Sequence, residues 1–145
     1  MAIRLLNAMV VQNAEVRDDG TIQLVRPILS IDLSAEQRAG FEASGKPRGL
    51  IPLPPYDLVL LLWGGTPGQK ITITGGFGPA GEKAGTAVMQ KDFTWKDSPG
   101  FTLKLNLAGE VNFTKSAVYE LRLIANGEPL GIVPLVIRWD DETEF

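Results

Sequence analysis

The chain predicts an all-β protein, an antiparallel β-sandwich of about eight short strands with at most one short helix. Three observations carry that expectation: apolar residues recur with period two, Gly, Pro, Asn and Asp punctuate the apolar segments at short intervals, and only one brief stretch reads as helix. A barrel is the second arrangement compatible with this spacing.

The clearest segment is Ala117 to Trp139. Tyr119, Leu121 and Leu123 alternate with Glu120 and Arg122, and Val133, Leu135, Ile137 and Trp139 alternate again after Asn126-Gly127. Alternation places one set on a buried face, and Asn-Gly accepts the positive φ angles of a tight reversal, so a two-strand hairpin is expected. Upstream, Ile3 to Val16 and Thr21 to Ile31 flank Asp18-Asp19-Gly20 and read as a second hairpin. A calcium loop would need more oxygen ligands at regular spacing, so the two acids read as an Asx-type turn.

Ser34-Ala35-Glu36-Gln37 forms a capping box that could open a short helix over Ala35 to Ala43, ended by Gly45, Lys46 and Pro47. Pro47, Pro52, Pro54 and Pro55 then make an extended segment expected not to donate regular ladder bonds. The stretch from Ser34 to Tyr56 is either a crossover between sheets or a binding element.

Leu58 to Trp63 is apolar at both parities. A strand open to water on one face should alternate, so this run expects cover on both faces. The helix offers mainly Ala35, Ala39, Phe41 and Ala43, which bury little area, and the shortfall places a partner or self-association surface at Phe41, Tyr56, Leu58, Leu60 and Leu62.

Gly64 to Gly68 is a turn cluster, and Lys70 to Phe77 is a strand. Gly76-Phe77-Gly78-Pro79-Ala80-Gly81 matches G-x-G-x-x-G, yet no helix opens after it and Glu82 stands where a phosphate loop needs Lys. A glycine-rich hairpin loop is the better reading. Thr86 to Lys96 and Phe101 to Leu107 are strands around the turn Asp97-Ser98-Pro99-Gly100.

Length and composition bound the rest. A chain of 145 residues suits one domain, here 1–139, followed by an acidic tail at 140–145. With no Cys and no His, neither disulfides nor the usual triads can be built, and an enzyme would have to work with carboxylates such as Asp92 and Asp97. No cofactor or metal site is expected. The net charge of −3 comes largely from Asp140, Asp141, Glu142 and Glu144, and the nearly neutral remainder has no basic stripe for nucleic acid. No apolar run reaches the roughly 20 residues of a membrane span, and the opening Met1 to Leu6 leads into Asn7, Gln12 and Asn13, unlike a signal peptide. A cytoplasmic location is expected. Asn112-Phe113-Thr114 fits a glycosylation sequon, a triplet that chance often produces.

Ala8 to Val11 leading through Asp18-Asp19-Gly20 to Ile22-Gln23-Leu24, the loop Pro79-Ala80-Gly81, and Tyr119-x-Leu121-x-Leu123 with Asn126-Gly127 and Pro134-Leu135-Val136 together carry a resemblance. The chain resembles a family of small bacterial and phage β-sandwich proteins of unknown function. That resemblance implies an immunoglobulin-like fold and supplies no activity. The expected role is a non-enzymatic protein-interaction or structural module. The alternative is a carbohydrate- or small-ligand-binding module in which Trp63, Trp95 or Trp139 stacks on a ring, against the reading of all three as core.

Overall fold

A computed structural model describes residues 3–19, 21–33, 49–52, 55–81, 86–107, 110–113 and 117–139, and these form eleven strands and no helix. The expected helix over Ala35 to Ala43 lies outside the described residues. β1 (Arg4–Val16), β2 (Ile22–Pro27), β5 (Asp57–Trp63) and β8 (Gly100–Asn106) make a four-stranded sheet in the order β2-β1-β5-β8. A five-stranded sheet has the order β3-β11-β10-β6-β7, from β3 (Ser30–Leu33), β6 (Lys70–Pro79), β7 (Thr86–Thr94), β10 (Ala117–Ala125) and β11 (Glu128–Trp139). The larger sheet curls into a half-barrel. β4 (Gly49–Pro52) and β9 (Glu110–Phe113) form a separate two-stranded ladder.

One core lies between the two large sheets. Val10, Leu58, Leu60 and Leu62 enter it from the smaller sheet, and Ile71, Ile73, Phe77, Tyr119, Leu121 and Leu123 from the larger, all at most 1% exposed. Their spacing along each strand is two, so burial follows directly from the pleat. Phe77 and Tyr119 stack with ring centroids 6.1 Å apart.

The C-terminal hairpin forms as its sequence predicts. Ala125 pairs with Glu128 across a two-residue loop in which Asn126 and Gly127 have φ of 49° and 83°. Asn126 also ties the loop to β6: its Oδ1 accepts from the Thr72 N–H at 2.8 Å and its Nδ2 donates to the Lys70 carbonyl at 3.2 Å. Asn126→Ala removes both bonds and puts a less tolerant residue in the left-handed region, so urea denaturation should show a loss of about 1–2 kcal/mol.

Four features depart from the sequence reading. Thr21 to Ile31 is two strands, because the chain changes sheets at Pro27: the Ile28 N–H donates to Val10 and the Leu29 carbonyl accepts from Val136. As a result β3 runs parallel to β11, so the pairing is not wholly antiparallel. Gly49–Pro52 does form a ladder, opposite Glu110–Phe113, because only its last residue lacks an N–H. Gly76 and Gly78 lie within β6, opposite Arg122 and Glu120, and not in a loop. Missing side chains on that face leave room for Arg122, which donates to the Pro79 carbonyl at 3.2 Å and meets Glu120 at 3.3 Å.

The parallel pairing brings Asp32 opposite Arg138, whose Nε donates to Asp32 Oδ1 at 2.8 Å. That bond, and then the Ser30 hydroxyl, hold the Asp32 carboxyl below its ordinary value of 3.8. A depressed folded-state pKa contributes stability above the unfolded value that disappears as pH falls through the folded one. Both side chains are partly exposed, so Asp32→Asn should cost well under about 1 kcal/mol at neutral pH. The difference from wild type should close as pH falls through the depressed folded-state value, and shrink in high salt, as read by thermal melts.

Candidate interaction surface

β5 is the strand where the sequence points to a contact surface, and its flanking ladders fix which way each residue faces. β1 runs antiparallel on one side, with Ala8 opposite Leu60 and Val10 opposite Leu58, and β8 on the other, with Leu103 and Leu105 opposite the same two residues. Leu58, Leu60 and Leu62 are 0–1% exposed and sit between the sheets, and Tyr56 is half-buried against the same core. None of these four therefore presents an open face, and Phe41 lies outside the described residues.

The opposite face of β5 changes character along its length. At the start, Val59 is buried with Val11 and Ala14 in a second small apolar cluster edged by Met9 and Ile22. Beside it the Asp57 carboxylate is also buried; Oδ2 accepts from the Ala14 N–H at 2.7 Å and lies 3.7 Å from Lys104 Nζ. These partners satisfy a charge that burial would otherwise penalise. Toward the end of the strand the cover stops: Leu61 is 39% and Trp63 40% exposed.

Trp63 stands between Arg4 on β1 and Gly100 on β8. A Cβ built on Gly100 would come within 2.5 Å of Trp63 Cε3, so the indole lies across bare backbone. Leu61 stands between Asn7 and Thr102, and a bulge between Leu5 and Asn7 adds Leu6, which is 55% exposed. The result is a surface of one aromatic and two aliphatic side chains, edged by Arg4, Asn7 and Thr102. It offers burial and stacking and holds no acid–base pair.

Trp95 differs: it is 1% exposed, its ring meets Phe101 edge-on at 4.7 Å, and Nε1 donates to the Ser98 carbonyl at 2.7 Å. Trp139 ends β11, and its side chain lies outside the described residues. Asp92 and Asp97 are exposed on β7 and the loop after it. Asp19 Oδ1 accepts from the Thr21 hydroxyl at 2.6 Å and N–H at 3.0 Å, an Asx-type turn, and those bonds lower its pKa. Among the described residues no three acidic side chains gather as a cation cage.

Two concavities lie among the described residues, and neither is lined by Leu6, Leu61 or Trp63. One of about 390 Å³ lies where β7 arches into β8, with Phe93, Phe101 and Leu103 as apolar walls and Lys96 at its rim. A smaller one of about 220 Å³ is bounded by Ile3, Gln69, Asn126 and Glu128. No helix among the described residues is long and apolar enough to cross a membrane.

No protein-family model matches the chain, and the search of curated proteins returns no relative.

The side chains that β5 leaves exposed, Leu61 and Trp63, have the opposite parity to the Leu58, Leu60 and Leu62 that the sequence reading singled out. Leu61 and Trp63 look like Leu60 and Leu62 until the neighbours are known. The one available signal was Gly100, a residue without a side chain at a strand start, which leaves room for a large ring beside it.

Proposed function

We propose that the chain is a non-enzymatic protein-interaction or structural module of immunoglobulin-like type that contacts a protein partner through Leu6, Leu61 and Trp63. The observation that carries this reading is the exposed tryptophan packed against Gly100 beside an exposed leucine on a central strand. Large apolar side chains on a rigid sheet are costly to leave in water and gain most when a partner covers them. The partner chemistry is an apolar patch with an aromatic or aliphatic anchor.

The immunoglobulin-like assignment is supported by strand order. β1-β5-β8 has the neighbours of strands A, B and E, and β11-β10-β6 those of G, F and C, with β7 as the extra strand of variable-type domains. Tyr119, fully buried near the start of β10 and two residues before Leu121, occupies the place of the tyrosine corner. A departure is that β7 connects to β8 through residues 95–99 alone, so the fourth strand of the smaller sheet has no counterpart beyond β8.

The test compares wild type with Trp63→Ala and Leu61→Asp as baits at equal thermal stability. The expected outcome is a protein captured by wild type and lost by both variants. An identical set captured by all three would remove the reading. A second reading, a carbohydrate- or small-ligand-binding module, is favoured by the exposed indole with Arg4, Asn7 and Thr102 around it. Titration with a panel of soluble oligosaccharides should then shift the Trp63 emission in wild type and not in Trp63→Phe. A cytoplasmic location is proposed from the absence of cysteine.

A further inference from the structure

We propose that β8 pairs antiparallel with β8 of a second copy of this chain, continuing the four-stranded sheet across a two-fold axis at Leu103. This names a second surface and partner for the interaction reading and rests on that reading only in assigning the chain a contact role. The four outer strands of the two large sheets are β2, β8, β3 and β7. Open strand edges invite pairing, and proteins usually blunt them.

Three of these edges are blunted. β2 carries Arg26 at a φ of 54° followed by Pro27, which has no N–H to offer. β3 has only four residues. β7 places Lys91 opposite the fully buried Ile73, an inward-facing charge at the mouth of the core, and its ladder is broken between Gly75 and Gly76. β9 also packs against β7.

β8 has none of these devices. Its seven residues contain no Pro and pair with β5 without a register break. The Leu107 N–H donates to the Tyr56 carbonyl and the Pro99 carbonyl accepts from the Gly64 N–H, both at 2.9 Å. Antiparallel pairing alternates, so Phe101, Leu103 and Leu105 turn their backbone groups to β5, and Thr102, Lys104 and Asn106 turn theirs outward. Among the described residues no strand meets that side. Lys104 does not guard it, because Asp57 on the neighbouring strand holds its ammonium at 3.7 Å.

The strand is also complementary to itself. With the axis at Leu103, Thr102 of each copy faces Lys104 of the other, so the outward backbone groups meet and no like charges oppose. Leu103 faces Leu103, and Phe101 faces Leu105. Phe101 and Leu103 are half-buried in the single copy and wall the 390 Å³ groove, which the second copy's Leu103 would cover. Such an interface is isologous and closes at two subunits.

Sedimentation of the full chain should give a concentration-dependent dimer. Thr102→Pro deletes an outward-turned N–H that bonds nothing among the described residues, so the fold should persist while the dimer dissociation constant rises about 10- to 100-fold. Because the chain has no cysteine, Leu103→Cys should form an intermolecular disulfide under mild oxidation, and Gln90→Cys on β7 should not. A wild type that stays monomeric to near-millimolar concentration overturns the proposal, as does a folded Thr102→Pro that dimerises unchanged. If Thr102→Pro fails to fold, equal cross-linking through positions 103 and 90 overturns it, and selective linking at 103 supports it. The Trp63 reading is separable, since loss of captured partner in Trp63→Ala with the dimer intact, or the reverse, sinks one and spares the other.

Discussion

Trp95→Ala is expected to lower stability by about 3–5 kcal/mol and the melting temperature by about 10–15 °C, without touching any exposed surface. The indole fills the bend where the chain leaves β7 and enters β8, so it packs between the two sheets. It touches the edge of Phe101, which in turn meets Phe93 edge-on at 5.4 Å. Nε1–H is satisfied by the Ser98 carbonyl, and the Trp95 backbone N–H donates to Gln69 while its carbonyl accepts from Gly68. Removing the ring leaves a cavity and an unpaired carbonyl where two connections between the sheets, residues 64–69 and 95–99, are bonded together.

Two further substitutions separate those terms. Trp95→Phe keeps most of the volume and loses the Nε1–H bond, so it should cost about 1–2 kcal/mol. Gly65→Ala leaves Trp95 in place and pushes into it, since a Cβ there would fall 2.0 Å from Trp95 Cδ2. It should cost about 1–3 kcal/mol through displacement of the ring. Chemical denaturation followed by circular dichroism reads all three; a loss below about 1 kcal/mol for Trp95→Ala would mean that the ring is not an anchor of the core. Iodide should quench Trp63 emission and leave Trp95 emission largely untouched.

What was legible in the sequence follows from how local the determining interactions are. The hairpin over Ala117 to Trp139 is set by alternation and by Asn126-Gly127, both contained in the segment, and its two strands and turn appear as expected, with a bulge between Leu123 and Ile124 added. The Asp19 turn is equally local. The parallel pairing of β3 with β11 joins residues about a hundred positions apart, and nothing within Ser30 to Leu33 distinguishes it from a continued hairpin strand. β4 and the glycine-rich end of β6 were obscured by composition. Proline and glycine argue against strands in isolation, yet Pro52 needs no N–H at a ladder end, and Gly76 and Gly78 make room for the Arg122 and Glu120 side chains from the next strand. For the contact surface, a run that is apolar at every position specifies burial and leaves parity open.

That ambiguity yields the second large effect, a contrast between neighbours of identical chemistry. Leu60→Ala should cost about 2–5 kcal/mol, because its side chain is fully enclosed between Ala8, Leu103 and the opposing sheet. Leu61→Ala, on the same strand, should cost less than about 1 kcal/mol, since its side chain is 39% exposed and much of its area is already in water. Partner binding should show the reverse order once both proteins are held well below their melting temperatures, with Leu61→Ala weakening capture and Leu60→Ala leaving it intact. The two readouts together assign a face to each residue in a way that neither does alone. Equal losses of stability at the two positions would mean that the outer face of β5 is covered along its whole length. In that case Trp63 would be a packed residue, and the contact surface would have to be sought away from this sheet.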